Sequence, residues 1–367
     1  MQHETSHSAH EEDPPPPVTE VQPPTGDESI DRQVHELVKR WGYDHSPELI
    51  AEMVGTVLKM AQDRMSVADL KMYDRSLKEL RYAARLFTKY KEFRKVSVFG
   101  SARTHPDAPE FKAAEHFAQL MCQAGYMIIT GGGDGIMGAA QKGAGREQSF
   151  GLNIRLPFEQ GANVTIEGDP KLINFNYFFT RKLNFMKESH AIALFPGGFG
   201  TMDEGFEALT LLQTGKAKMI PLVLVDEPGG HYWETWNVFM REHLLKLGLI
   251  SEEDFHLFRI TSNLDEAVEE IVNFYKTYQS SRYVNQQMVI RLARRLTAGS
   301  VEKINDTFGD ILRSGRYVQR EALRQERNEP DLAHLPRLVF TPNRRNFGRL
   351  RLLIDTINAS ELEPEAA

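Results

Sequence analysis

The chain has 367 residues, 41% apolar and 26% charged, enough for one large domain with extensions or for two domains. Its net charge of −7 argues against a dedicated nucleic-acid binder, and its single cysteine, Cys122, excludes an internal disulfide and a cysteine-based zinc cluster. No apolar run reaches the ~18 residues of a membrane span, and the first residues lack the basic-then-apolar order of a secretory signal, so a cytoplasmic protein meeting neither membrane nor nucleic acid is expected.

Residues 1–28 hold six of the eighteen prolines, including Pro14 to Pro17, among His, Glu and Ser. Such a segment cannot bury enough apolar surface to offset its ordering entropy, and it reads as a disordered tail. From 29 to 92 apolar residues recur at three- and four-residue spacings: Leu37, Val38 and Trp41, then Ile50, Val54, Val57 and Leu58, then Leu77, Leu80 and Ala84. That spacing predicts a helical N-terminal extension.

From 93 to 280 short apolar runs alternate with amphipathic stretches. Strands are predicted at Val96–Phe99, Met127–Thr130, Leu152–Leu156, Ala191–Phe195, Ile220–Val225 and Phe258–Ile260. Helices are predicted between and after them at Pro109–Ala124, Ile136–Arg146, Arg181–Ser189, Asp203–Gln213, Tyr232–Leu247 and Leu264–Tyr278. The runs "VSVF", "MIIT", "AIALF" and "IPLVLV" are continuously apolar, as strands buried on both faces should be. The predicted fold class is α/β: a doubly wound, Rossmann-like parallel sheet with helices on both faces, plus helical N- and C-terminal extensions. Residues 281–367 read as helical or irregular: helical and basic from Tyr283 to about Ser314, irregular around Pro330, Pro336 and Pro342, and helical over Asn346–Ile357. The basic runs Arg291, Arg294, Arg295 and Arg344, Arg345, Arg349, Arg351 read as solvated helix faces or subunit contacts.

In a doubly wound sheet, ligands bind beyond the carboxyl ends of the strands. Three predicted strands run there into small residues: Gly100-Ser101-Ala102-Arg103, Gly131-Gly132-Gly133-Asp134-Gly135, and Pro196-Gly197-Gly198-Phe199-Gly200-Thr201. Glycine permits a phosphate to approach backbone, and the following helix offers free N–H groups. The stretch Gly133 to Gly138 is also a literal G-x-G-x-x-G, with Glu159 at a ribose-binding distance. It follows the second strand rather than the first, however, which leaves an NAD(P)-binding enzyme the weaker alternative. No P-loop lysine is present, since Thr214-Gly215-Lys216 sits where a helix ends.

Thr201-Met202-Asp203-Glu204 has the form of a capping box, which would account for Glu204 and Asp203 structurally. Upstream, Arg181 and Lys182 open a helix whose dipole they oppose, and a bound anion would explain them.

The segments "FFTRKLNFM" and "PGGFGTMDE" resemble the paired motifs of the Lonely Guy family, the cytokinin riboside 5′-monophosphate phosphoribohydrolases, many of whose bacterial relatives carry "lysine decarboxylase" labels. The segments "GSAR", "TGGGDGIMGA" and "GLNIRLPFEQ" resemble further motifs of that family, over roughly residues 95–280. The long flanks resemble those of larger bacterial members, of AMP nucleosidase type. The resemblance implies hydrolysis of the N-glycosidic bond of an AMP-like or cytokinin-type nucleoside 5′-monophosphate, with Arg181 and Glu204 as the catalytic pair. It further implies that Gly197, Gly198, Gly200 and Thr201 hold the 5′-phosphate, that Phe199 and Asp203 belong to the substrate-binding set, and that Lys182 assists in binding the nucleotide. Gly100, Ser101, Gly131, Gly132 and Gly133 would line the nucleotide pocket, with Met137 and Asn153. No metal and no cofactor is implied, and a homodimer or larger homo-oligomer is. The alternative from another class is a carrier that binds a nucleotide or phosphorylated cofactor, such as molybdenum cofactor, without turnover.

Overall fold

The structure, a computed structural model, describes residues 25–42, 46–156, 161–327 and 329–364. Most of the proline-rich tail, together with Glu159 and the end of "GLNIRLPFEQ", lies outside them. The chain forms two compact units, 1–78 and 79–367.

In the first unit, helices α1 (Glu28–Trp41) and α2 (Pro47–Gln62) pack through Val34, Val38 and Ala51. The Asp27 carboxylate caps α1 by accepting from the N–H groups of Ser29 and Ile30. Leu37 and Trp41, predicted on the apolar stripe, are exposed. Helix α3 (Val67–Thr88) begins in this unit, and its residues from Glu79 onward belong to the second.

The second unit is built on a seven-stranded parallel sheet: β1 (Lys95–Phe99), β2 (Met127–Thr130), β3 (Ser149–Ile154), β4 (Leu172–Phe175), β5 (Ala191–Leu194), β6 (Leu222–Val225) and β7 (Arg259–Thr261). The order is β4-β3-β2-β1-β5-β6-β7. Every residue of β1, β2, β5 and β6 is buried, which is why β5 and β6 are apolar throughout, while the buried Lys95 and Ser97 of β1 are hydrogen-bonded. Helices α4 (Pro109–Gln123), α5 (Ile136–Ala144), α6 (Phe178–Glu188), α7 (Phe199–Gln213), α8 (Tyr232–Phe239) and α9 (Leu264–Phe274) connect the strands. Two large apolar clusters flank the parallel sheet, one including Phe117 and Phe195, the other Phe99, Phe185 and Leu194. The connections run outward from β1 through β4 in one direction and from β5 through β7 in the other. The reversal between β1 and β5 is the topological switch point, where such a sheet opens a crevice.

Strand β4 carries no strand signal in the sequence. It is a four-residue edge strand whose burial alternates instead of running continuously. Helix α8 passes into a π-helical turn over Met240–Leu245.

The C-terminal stretch departs most from expectation. Where a basic helix was predicted after Tyr283, strands β8 (Tyr278–Val284) and β9 (Gln287–Leu292) form a hairpin. Its turn places Asn285 at φ 54°, a conformation that asparagine tolerates. With β10 (Leu312–Arg320) and β11 (Arg337–Pro342) they make an antiparallel sheet of order β10-β11-β9-β8, flanked by α10 (Ala298–Thr307) and α11 (Phe347–Ala359). Four of the arginines expected to be solvated form ion pairs with acids of the chain. Arg291 is 4% exposed and donates to Glu326 at 2.7 and 3.0 Å, Arg295 pairs with Glu321 and Glu363, Arg349 with Asp310, and Arg351 with Glu270 and Asp355. Arg337, fully buried, completes the cluster by donating to Glu326 at 3.0 Å. A buried guanidinium is tolerated only when so paired.

Candidate active site

The three glycine-bearing loops meet at the switch point. The Ser101 N–H donates to the Pro196 carbonyl at 3.1 Å, joining the loops after β1 and β5. The Ser101 carbonyl accepts from the Ile136 N–H at 3.0 Å, joining the loop after β1 to the start of α5. The approach is close enough that a Cβ on Gly197 would lie 2.2 Å from Thr201 Oγ1 and 2.9 Å from the Ser101 nitrogen. Gly132 and Gly133 are held by Asn163, whose side-chain amide donates to their carbonyls at 3.0 and 2.8 Å. The Tyr232 hydroxyl, at the start of α8, donates to the Gly197 carbonyl. Tyr232 is placed there because the Asp226 carboxylate, at the end of β6, accepts from the Trp233 N–H at 3.0 Å.

Helix α7 begins earlier than the sequence suggests. Its N-cap is Gly198, with no side-chain cap, and Thr201 lies inside the first turn, its N–H donating to the Gly198 carbonyl at 3.1 Å. The capping-box reading of Thr201 and Glu204 is therefore wrong. Glycine at the cap leaves first-turn N–H groups facing an open mouth, the arrangement that favours an anion. No atom would contact a Cβ placed on Gly198 or Gly200, and Phe199 is 97% exposed at the same mouth.

Glu204, released from capping, lies one turn further in and is 9% exposed. Lys182, reaching over from α6, lies 3.7 Å from Glu204, 3.0 Å from Asp203 and 2.5 Å from Glu207. Its one charge is shared among three carboxylates. Burial pushes the Glu204 carboxyl up to about 7, against the opposing pull of Lys182 and Arg181 and with help from Glu207 and Asp203. Lys182 itself is held above its ordinary value: burial disfavours its charge, but hydrogen bonds to Glu207 and Asp203 outweigh that. The negative charge that the sequence demands beside Lys182 is thus supplied at least in part by the protein's own acids.

Arg181 occupies the facing wall. Its Nε donates to the Leu152 carbonyl, within β3, at 2.8 Å, and its guanidinium stands 5.3 Å from the Phe185 ring. A Cβ on Gly131 would come within 2.8 Å of Arg181 Nη2 and 2.7 Å of Met137 Sδ, so the glycine makes room for both. Met137 also lies against Gly133. Asn153, next to Leu152, donates to Asn174 at 3.0 Å. Gly100 packs on Ile136, where a Cβ would come within 2.6 Å.

The predicted residues thus fall into a glycine-rich loop and helix start (Gly197 to Thr201), an ion-paired group (Lys182, Asp203, Glu204) and a group around Arg181 (Gly131, Met137, Asn153). Glu207, Asn163 and Tyr232 join them unpredicted. Glu207 was readable, since Asp203 and Glu207 are four apart on one face of α7; Asn163 and Tyr232 carry no local signal. Among the described residues no cluster of His, Cys, Asp or Glu is placed to hold a metal ion, and no helix is long and apolar enough to cross a membrane.

Comparison with known proteins adds to this geometry. Residues 137–271 match a family model described as possible lysine decarboxylase. A probable cytokinin riboside 5′-monophosphate phosphoribohydrolase of Oryza sativa subsp. japonica, LOGL9, is 28% identical over 167 residues, covering 43% of this chain and 70% of the rice protein. Among solved structures, a molybdenum cofactor binding protein from the phototrophic bacterium Rippkaea orientalis aligns with TM-score 0.34 at 19% identity, over 48% of this chain and 93% of its own. The molybdenum cofactor carrier protein of Chlamydomonas reinhardtii aligns with TM-score 0.34 at 19% identity, over 48% of this chain and 94% of its own. Neither structural likeness transfers a ligand to this chain. The Arg181-Lys182 and Pro196–Glu204 motifs lie inside the stretch that the family model matches, and the chain is similar there to the Lonely Guy family of which the rice protein's description speaks.

Proposed function

We propose that the protein hydrolyses the N-glycosidic bond of a nucleoside 5′-monophosphate, AMP-like or of cytokinin type, to free base and ribose 5-phosphate. The observation that carries this reading is a buried Glu204, raised to about 7, one turn from an uncapped helix mouth. A phosphate seated on the first turn of α7 would bring the ribose toward that carboxyl. Gly198, Phe199 and Gly200 offer backbone N–H groups there. Gly100, Ser101 and Gly131 to Gly133, with Met137 and Asn153, line the route toward the base.

Cleavage develops positive charge on the ribose as the bond from C1′ to the base nitrogen breaks and the base keeps the electron pair. Ionised Glu204 stabilises that charge and takes a proton from the water whose oxygen bonds to C1′. The departing base takes its proton from solvent. A carboxyl poised near neutrality suits this work, because the proton acceptor is available without being too weak a base. Arg181 stays charged at any relevant pH and orients the nucleotide, while Lys182 keeps Glu204 in place. Remote binding of the phosphate positions the sugar for attack. A homodimer or larger homo-oligomer in the cytoplasm completes the reading, in line with the family resemblance.

The test is incubation of the protein with AMP, GMP, CMP and a cytokinin nucleotide, assayed for free base. Release from at least one is the expected result. Failure on all four, with tight nucleotide binding retained, would favour a carrier instead.

A further inference from the structure

We infer that Glu79, in the last part of α3 and outside the family-matched stretch, is a positioning residue for the helix that carries Arg181; this rests on the reading of Arg181 as part of the catalytic pair. The Glu79 carboxylate is 8% exposed, and each of its oxygens is used. One accepts from the Asn176 N–H at 2.9 Å and from the Asn176 side-chain amide at 2.7 Å. The other accepts from the Thr180 hydroxyl at 2.6 Å. All three donors belong to the short stretch that ends β4 and opens α6.

Helix α6 needs an outside partner there. Its own N-cap, Tyr177, makes no side-chain cap, and its fourth and fifth residues, Arg181 and Lys182, put two cations near the positive end of the helix dipole. A buried carboxylate beside that end offsets the charge and, through Thr180, grips the residue immediately before Arg181. The guanidinium is then fixed at both ends: by Glu79 through the backbone of α6, and by the Leu152 carbonyl on β3 at 2.8 Å. The phosphate cradle, built on β5 and α7, has no contact of this kind with Glu79. Loss of Glu79 should displace Arg181 and leave the cradle unchanged.

Two variants separate geometry from charge. In Glu79→Gln the amide oxygen still accepts from Asn176, and the amide nitrogen can donate to the Thr180 hydroxyl, which still donates to the Tyr177 carbonyl at 2.9 Å. Glu79→Ala removes every contact. The full chain and both variants are compared for kcat and KM of base release from AMP, for ribose 5-phosphate affinity by calorimetry, and for amide hydrogen exchange. The expected result for Glu79→Ala is a kcat lowered by about tenfold or more, the scale of a small misplacement at a reacting centre. Ribose 5-phosphate affinity stays at the wild-type value, and exchange quickens over residues 176–182 but not over 198–205. Glu79→Gln restores kcat to within about threefold, since the hydrogen-bond geometry survives. The inference is overturned if Glu79→Ala keeps wild-type kcat, if ribose 5-phosphate affinity falls in parallel with kcat, or if Glu79→Gln is as impaired as Glu79→Ala. If the wild-type chain releases no base from any monophosphate, the functional reading fails instead. Exchange then decides for Glu79 alone, and unchanged exchange over 176–182 overturns it.

Discussion

Replacing Glu204 by glutamine is expected to remove base release and, at the same time, to stabilise the protein above neutral pH. Burial raises this carboxyl from its ordinary 4.5 to about 7, despite Lys182 at 3.7 Å. The folded state therefore binds the Glu204 proton more tightly than the unfolded state does. The stability from that proton is complete below 4.5 and is lost as pH rises through 7. At ~1.4 kcal/mol for each tenfold change in proton affinity, the charged carboxylate opposes folding by about 3 kcal/mol above neutrality, an upper figure. Glutamine has the shape of the protonated acid and carries no such penalty. Lys182 keeps Asp203 and Glu207 as partners, so the substitution leaves no unpaired ammonium. Denaturant unfolding at about pH 8 should show Glu204→Gln more stable by up to about 3 kcal/mol, with the difference shrinking below 1 kcal/mol near pH 5. Liberated adenine, followed on the same samples, should fall to background while AMP binding stays measurable. A variant less stable than wild type near pH 8 would mean that Glu204 is a structural ion-pair partner, and full activity would remove it from the mechanism.

The pH profile of base release by the wild-type protein gives an independent reading: under the proposed role of an ionised Glu204, kcat should climb as pH passes through about 7 and then level. A profile falling over that range would assign Glu204 the role of acid. Gly197→Ala forces a Cβ to within 2.2 Å of Thr201 Oγ1, so calorimetry should record lost ribose 5-phosphate affinity together with about 1–3 kcal/mol of lost stability. Gly200→Ala meets no atom within 4 Å, and its unfolding midpoint should hold or rise slightly while phosphate affinity falls. In the C-terminal sheet, Glu326→Gln leaves the buried guanidinium groups of Arg291 and Arg337 without their shared carboxylate. Denaturation should report about 3–5 kcal/mol of destabilisation with nucleotide binding unchanged. Hydrogen bonds from Arg291 and Arg337 hold the Glu326 carboxyl below its ordinary 4.5 despite its burial, so this contribution is present at neutral pH and is lost only as acid takes the pH below that value.

The sequence by itself determined the parallel sheet and the edge at which its glycine-bearing loops meet. Fully buried strands are written mostly in apolar residues, and loops whose backbones meet closely are written in glycine; both patterns are local and survive reading without coordinates. The ending of α7 was equally legible, since Gly215 takes φ 65° and the Lys216 N–H bonds back to the Leu211 carbonyl. Strand β4 and the β8–β9 hairpin were not, because short edge strands and arginine-bearing strands share their composition with helix faces. What Glu204 does was beyond local reading too: the capping box fits the letters, and only the helix start at Phe199 frees the side chain. Its raised pKa needs burial by other segments and a lysine whose charge is divided among three acids. Glu79 is the furthest case, 97 residues in sequence from Asn176 and within 2.9 Å of it in space. Desolvation and cross-chain hydrogen bonds depend on which segments meet, and tertiary structure alone decides that.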